Sequence, residues 1–309
     1  MTSNAIALRG VGKRYGDVVA VDGVDLDLAQ GRMVGLIGHN GAGKSTLFKL
    51  MLGLTPPTTG QILVKGVPIG GRDFRAARRR IGYLPEAFVT YDNLTGLEVL
   101  QFFADLKKTP RASCAAVLER VGLGAAAGRR VRGYSKGMRQ RLGFAQVLLG
   151  EPDLIFLDEP TNGLDPEGIH DFYQILRDVQ REGATIVITS HILAEIQERV
   201  DDLVIMQGGR VAARGTLAEL RGQMVLPSQI RITLRQGEGS RIQSALEQLA
   251  GLELKVERDC VHVSCLPGQK VAVLHVLGAL ADAVRDIAIH EPSLEDLFFG
   301  YGGAHGRKP

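Results

Sequence analysis

No run of eighteen apolar residues, about the length a bilayer-crossing helix needs, occurs anywhere in the chain. The first residues, up to Gly10, carry no long apolar core of a secretory leader, so the chain is expected to stay in the cytoplasm and to meet a membrane only through a partner. Cysteine is scarce as well: Cys114, Cys260 and Cys265 are too few for a disulfide framework, which fits a reducing compartment. Nor is there a strong charge of either sign, the net value being +3. Arginines gather at Arg75, Arg78, Arg79 and Arg80 and again at Arg129, Arg130 and Arg132, without interleaved aromatics of the kind that stack on bases. They read as solvated faces, and no nucleic-acid partner is expected. Internal repeats and low-complexity segments are missing too. What remains is the balance of a globular protein: 309 residues, 45% hydrophobic and 23% charged, enough for one large or two unequal domains.

The stretch Gly38-His39-Asn40-Gly41-Ala42-Gly43-Lys44-Ser45-Thr46 fits a phosphate-binding pattern, two glycines spaced around a turn and followed by Lys and Ser. Backbone N–H groups must curl around a polyphosphate at the mouth of a helix, and glycine lets the main chain come that close. Lys44 supplies a mobile point charge, and Ser45 a hydroxyl able to ligate Mg²⁺. The context agrees, since Met33-Val34-Gly35-Leu36-Ile37 reads as a buried strand entering the loop and the residues after Thr46 as an apolar-faced helix leaving it.

Upstream, Ile6-Ala7-Leu8, then Val18 to Val21 and Val24 to Leu28, alternate as half-buried antiparallel strands, with Tyr15 on the short loop between them, an aromatic able to stack on adenine. Downstream, a strand ends at Tyr83-Leu84-Pro85-Glu86. Residues 87–150 are expected to be mostly helical, with Leu97, Leu100, Phe103 and Leu106 at helical spacing. Tyr134-Ser135-Lys136-Gly137-Met138 opens a helix and so places Ser135 and Gly137 at its anion-ready N-terminus. The apolar run Leu154-Ile155-Phe156-Leu157 delivers Asp158 and Glu159 to its end, where open α/β sheets place their ligands. Asp165 follows in a turn, and a further apolar strand ends at His191.

After Gly222 the pattern changes to strand and helix segments in the order βαββαβ, a small ferredoxin-like unit, then a helix from Ser293 carrying Leu294, Leu297 and Phe298, and a tail from 302 expected to be disordered. The domains expected are thus 1–222, 223–301 and a tail at 302–309. Cys260-Val261-His262-Val263-Ser264-Cys265 has soft donors, but strand alternation puts Cys260 and His262 on one face and Cys265 with Val261 and Val263 on the other. A copper site made of all three is not expected.

With these stretches in view, residues 1–222 resemble the nucleotide-binding subunit of an ATP-binding-cassette (ABC) transporter. The resemblance implies an α/β P-loop domain with a RecA-like core, an antiparallel β subdomain and a helical subdomain, and a reaction that hydrolyses ATP with Mg²⁺. It makes Tyr15 the adenine-stacking residue and residues 38–46 the phosphate loop. Glu86 faces Mg²⁺ and the attacking water, and Asp158 is the acid on the Mg²⁺ side. Glu159 becomes the general base, Asp165 the acid at the dimer seam, and His191 the sensor of the γ-phosphate. Ser135 and Gly137 would complete the site of a second copy. A groove at residues 86–94 would hold an integral membrane permease subunit, which places the chain at the cytoplasmic face of the inner membrane. Two positions depart from the family pattern: Glu86 stands where Gln is usual, and Tyr134 to Met138 replace Leu-Ser-Gly-Gly-Gln while keeping the Ser and one Gly.

A closer resemblance runs through Tyr83 to Glu86, Tyr91 to Gly96, Tyr134 to Leu142 and Ile289 to Leu297. These look like the ATPase of the transporter that helps mature the copper sites of nitrous-oxide reductase, which implies a periplasmic partner reached through the permease. The alternatives are an exporter of drug, lipid or polysaccharide cargo, and a soluble ABC ATPase unconnected with transport.

Overall fold

The structure is a computed structural model describing residues 4–222, 227–235 and 237–290. The chain forms two compact units, Met1–Leu217 and Ala218–Pro309.

Alternation sets the first strands. β1 (Asn4–Tyr15) and β2 (Val18–Ala29) pair antiparallel, with Leu8 opposite Leu26 and Val11 opposite Val24, and their apolar faces are buried. β3 (Met33–Ile37) is buried at every residue, as a strand covered on both faces must be. It feeds the glycine loop and α1 (Lys44–Met51), whose Leu47, Phe48, Leu50 and Met51 are buried. β4 (Thr59–Val64) and β5 (Val67–Pro68) extend the first sheet in the order β2-β1-β4-β5, and α2 (Phe74–Arg78) follows.

β6 (Ile81–Leu84) leads into the helical stretch: α3 (Gly96–Lys107), α4 (Ser113–Arg120) and α5 (Lys136–Leu148). Thr95 starts α3 with a reciprocal cap, its hydroxyl accepting from Glu98 N while the Glu98 carboxylate accepts from Thr95 N. The helical spacing of Leu97, Leu100, Phe103 and Leu106 is borne out, all four lying in α3. Val99, Leu100 and Ala104 are among its buried residues, whereas Leu106 is 65% exposed.

Then come β7 (Leu154–Asp158), α6 (Pro166–Arg181), β8 (Thr185–Ser190), α7 (Leu193–Ile196), β9 (Asp202–Gln207), β10 (Arg210–Gly215) and α8 (Leu217–Gly222). The second sheet runs β10-β9-β3-β8-β7-β6, parallel throughout except for β10. Both sheets share one core around α1, where the Phe48 ring meets Phe156 edge-on at 5.3 Å. This is the α/β architecture expected, with an antiparallel sheet and a helical segment added to a parallel core.

The second unit contains β11 (Ser228–Leu234), α9 (Gly239–Leu246), β12 (Glu253–Glu257), β13 (Cys260–Cys265), α10 (Lys270–Ala279) and β14 (Val284–His290), in the sheet order β12-β13-β11-β14. That is the ferredoxin-like βαββαβ arrangement, with Ile230, Ile232, Val261 and Val263 packing on Ile242, Leu246, Val273 and Leu277. The expected helix from Ser293, the tail from 302 and the part of the closer resemblance beyond His290 lie outside the described residues.

Candidate functional site

The loop between β3 and α1 is shaped by close approach. Gly43 holds φ +100° at the N-cap of α1, and a Cβ there would meet Ala20 O at 2.4 Å, so only glycine fits. The loop is tethered from a distant strand turn, Gly209 N donating to Ala42 O at 3.1 Å. Lys44 is 93% buried, and its ammonium donates to Gly38 O at 2.5 Å and to His39 O at 3.3 Å.

The carboxylates arrive on the neighbouring strand ends. β7 finishes at Asp158, which is buried, and Thr189 at the end of β8 donates its hydroxyl to Asp158 Oδ1 at 2.6 Å. The same Thr189 Oγ1 accepts from Glu159 N at 3.0 Å. Glu159 sits in the left-handed region at φ +47°, an uncommon position for a residue with a side chain. That backbone turn aims the carboxylate out of the strand line, and Glu159 Oε2 accepts from His191 Nδ1 at 2.8 Å.

These groups share one cleft of about 470 Å³, within the size of small-molecule sites. Residues 39–46 of the loop, Val18 to Ala20 of β2, and Glu86, Asp158, Glu159 and His191 line it. His39, Asn40, Gly41, Ala42, Gly43, Lys44, Ser45 and Thr46 are therefore brought together as expected, and Gly38 stands behind them through its carbonyl. Burial pushes the Lys44 ammonium down, opposed by Glu159, Asp158 and Glu86 in that order. Burial pushes Glu159 up, opposed by His191 and then Lys44. Three oxygen donors, Ser45, Glu86 and Asp158, face the same cleft, a hard donor set suited to Mg²⁺.

Besides Gly38, four expected residues do not line the cleft. Tyr15 closes β1 at its hairpin end instead of lying on a loop, because the β1–β2 pairing continues to Tyr15 opposite Val18; the residue is 48% exposed, with Lys13 Nζ 5.1 Å from the centre of its ring. Ser135 is the N-cap of α5, its hydroxyl accepting from Met138 N at 3.2 Å. Gly137 lies beside the next turn, where an added Cβ would come 3.5 Å from Leu164. Asp165 is the N-cap of α6, accepting from Gly168 N at 2.9 Å.

Sequence reading overlooked the polar residues that hold the site in place. Thr189 is wholly buried next to two carboxylates, and its only trace in the sequence is a hydroxyl at the end of an apolar strand. Gln140 and Gln146 inside α5 donate to Pro160 O and to Tyr83 O, both at 2.8 Å, tying that helix to the segments after Glu159 and before Glu86. Two buried glutamines on an otherwise apolar helix face are a visible signal.

Comparison with known proteins accords with this geometry. The family described as "ABC transporter" matches residues 21–162. A daunorubicin resistance ATP-binding protein of Streptomyces coeruleorubidus is 34% identical, over 98% of this chain and 97% of its own length. A Nod factor export ATP-binding protein of Cupriavidus pinatubonensis is also 34% identical, over 98% of this chain and 92% of its own. Among solved structures, a dimeric bacterial ABC transporter cassette superposes with a TM-score of 0.63 and 26% identity, covering 69% of this chain and 98% of its own. A glycine loop at a helix mouth, paired strand-end carboxylates and matches over 98% of the chain to two ATP-binding proteins converge: this chain belongs to the ABC transporter family, as an ATP-binding subunit.

Proposed function

We propose that the chain hydrolyses ATP as one half of a two-copy motor that drives a separate membrane subunit of an exporter. The observation that carries the proposal is the convergence of Lys44, Asp158, Glu159 and His191 on one cleft. In this reading Lys44 neutralises charge on the transferring phosphoryl group, and Glu159, held in a partly dry position by the Thr189 bond, orients and deprotonates water. Ser45 and Asp158, with Glu86 at the exposed rim, would hold Mg²⁺, which adds charge neutralisation when bound. Asp158 Oδ1 is already engaged by Thr189, which leaves its second oxygen for that task.

Ser135, Gly137 and Asp165 lie off the cleft of their own chain, which supports their serving a second copy; the related solved cassette is itself dimeric. ATP then acts through its greater affinity for the closed pair. Tyr15 would stack on adenine from the hairpin beside Val18.

For the membrane subunit the favoured seat is residues 86–94 together with α3. Val89, Tyr91, Phe102 and Leu106 are exposed there, and Tyr91 packs edge-on against Phe102 at 6.1 Å. The segment is also wired to α5, since Arg139 binds Asp92 at 2.5 Å and Val131 N donates to Leu94 O at 2.8 Å, so a push on it reaches the helix that carries Ser135. Among the described residues no helix is long and apolar enough to cross a membrane, which fits a peripheral subunit at the cytoplasmic face. Functionally we assign residues 1–222 to the motor, with 87–150 as its helical subdomain, and 223–301 to an accessory domain.

The relatives are named for daunorubicin resistance and for Nod factor export, so an organic cargo is put first. Maturation of copper sites in nitrous-oxide reductase, with its periplasmic partner, is the narrower reading and rests on the sequence stretches around Glu86, Tyr91 and Tyr134 and on Ile289 to Leu297. The test is to co-express the tagged chain with the membrane protein encoded beside it and to compare ATPase rates of wild type and Glu159→Gln. Co-purification in equal amount with a silent mutant is expected. Full activity of the chain alone, with no membrane protein retained, would transfer the assignment to a soluble ATPase.

A further inference from the structure

Within the second unit the β12–β13 hairpin brings a carboxylate, a thiol and an imidazole to one point. Glu257 and Cys260 are direct cross-strand partners, and His262 follows two residues on, so period-two alternation sets all three on the same face of the sheet. Cys260 Sγ is 3.2 Å from His262 Nε2 and 3.7 Å from Glu257 Oε2, and those last two atoms are 3.8 Å apart. Cys265, the residue that sequence spacing offers as a third soft donor, packs into the apolar core on the opposite face. The third donor comes instead from across the hairpin.

We propose that Glu257, Cys260 and His262 form a binding site for a borderline-soft divalent cation of the zinc class. Tetrahedral Zn²⁺ with ordinary bonds to sulfur, nitrogen and oxygen would hold its donor atoms roughly 3.4 to 3.6 Å from one another. The triangle seen here differs from that by only a few tenths of an ångström on each side, so no backbone movement is required. The donor set suits the ion: thiolate and imidazole favour zinc over Mg²⁺ or Ca²⁺, and a carboxylate is a common third ligand of zinc. Orientation is supplied from outside the triangle. Lys255 Nζ binds Glu257 Oε1 at 3.0 Å, which fixes the carboxylate so that Oε2 turns toward the thiol and the imidazole. Access is open on one side, since Cys260 is buried while His262 and Glu257 keep 38% and 48% of their side-chain surface in solvent. On binding, the Cys260 thiol proton leaves to solvent, the sulfur lone pair goes to the metal, and the fourth position stays open to water or an external donor. The ion would clip the hairpin end of the sheet's edge strand, within the unit whose contribution the nucleotide cleft does not explain.

The experiment uses the full chain, stripped of metal and kept reduced, titrated with Co²⁺ alone as a spectroscopic stand-in for Zn²⁺. One equivalent should produce a thiolate-to-cobalt charge-transfer band that an equivalent of Zn²⁺ then abolishes. The band should vanish in Cys260→Ser, persist in Cys265→Ser, and require at least about tenfold more Co²⁺ in His262→Ala and Glu257→Gln, the scale of loss of a ligand or its support. Glu257 is exposed and His262 half-buried, so their folds, checked by circular dichroism, keep the test informative if Cys260→Ser is unstable. A wild-type chain with no band, or a band unchanged in His262→Ala and Glu257→Gln, overturns the proposal.

Discussion

His191 Nδ1 stands 2.8 Å from Glu159 Oε2, and the two reach each other from the ends of adjacent parallel strands, β8 and β7. Burial raises the affinity of Glu159 for its proton, and the hydrogen bond and charge of His191 oppose that rise without cancelling it. A general base works only in its deprotonated form. The ATPase rate should therefore fall as pH drops through a value above the ordinary carboxylate range. In His191→Ala both lowering contributions of the imidazole disappear, the folded pKa of Glu159 rises further, and the acid limb should move to higher pH, with the plateau rate down about tenfold to a hundredfold. The pH profile of kcat in wild type and mutant checks the sign. A limb that stays in place while the rate drops would mean that the histidine acts on phosphate alone.

Thr189 serves both carboxylates with one hydroxyl, donating to Asp158 Oδ1 and accepting from Glu159 N. The second bond holds a backbone that is in the left-handed region, a conformation that costs roughly 1 to 2 kcal/mol for a residue with a side chain. Thr189→Val keeps the volume but leaves the half-buried Glu159 N–H unpaired, at a cost of about 1 kcal/mol. The expected outcome is a kcat at least about tenfold lower with nearly unchanged ATP binding, a lower melting temperature, and recovery of both in Thr189→Ser. Steady-state kinetics and thermal unfolding of the two variants decide it.

The cleft's main features could be read before any coordinates because each rests on local chemistry. The glycines and Lys44 are contiguous, and Asp158 and Glu159 end or follow the five buried residues of β7, whereas the approach of Ala20 O that makes Gly43 obligatory is seen only in the fold. Long-range partners were less visible. Thr189 lies 31 residues from Asp158, and nothing in its own neighbourhood marks it as shared by two acids. Periodicity put Leu106 on a helix correctly but does not say which apolar side chains of that helix are buried, and Leu106 is exposed. Cys260 was assigned to the correct face, yet its carboxylate neighbour came from the opposite strand of a hairpin whose register only the fold reveals.

Glu86 lines the cleft at its exposed rim, where its charge opposes the lowering of Lys44. An extra negative charge beside the phosphates raises the demand for metal. Glu86→Gln is expected to increase the ATPase rate at limiting Mg²⁺ by about twofold to fivefold, the scale of one partly screened charge, and to change little at saturating Mg²⁺. Rates measured across a Mg²⁺ titration test this, and identical curves for the two proteins would sink it.

Ser135 and Lys44 belong to different places in one chain: Lys44 lines the cleft, and Ser135 caps α5 away from it. If two copies meet head to tail, each complete site takes Lys44 from one copy and Ser135 from the other. Lys44→Ala and Ser135→Arg should then be inactive separately, the first at nucleotide binding and the second at closure. Mixed together, they place both defects in one site and leave the other site intact. A mixture of the two purified variants should recover a rate well above that of either alone, reaching at most about half of wild type per mixed pair. Ser135→Arg also removes a helix cap worth about 1 kcal/mol, so its folding is verified by its melting temperature before mixing. Recovery cannot arise if each chain builds its site by itself, because neither variant then contains a whole one. An unchanged rate on mixing, with pair formation confirmed by light scattering, would refute the shared-site arrangement.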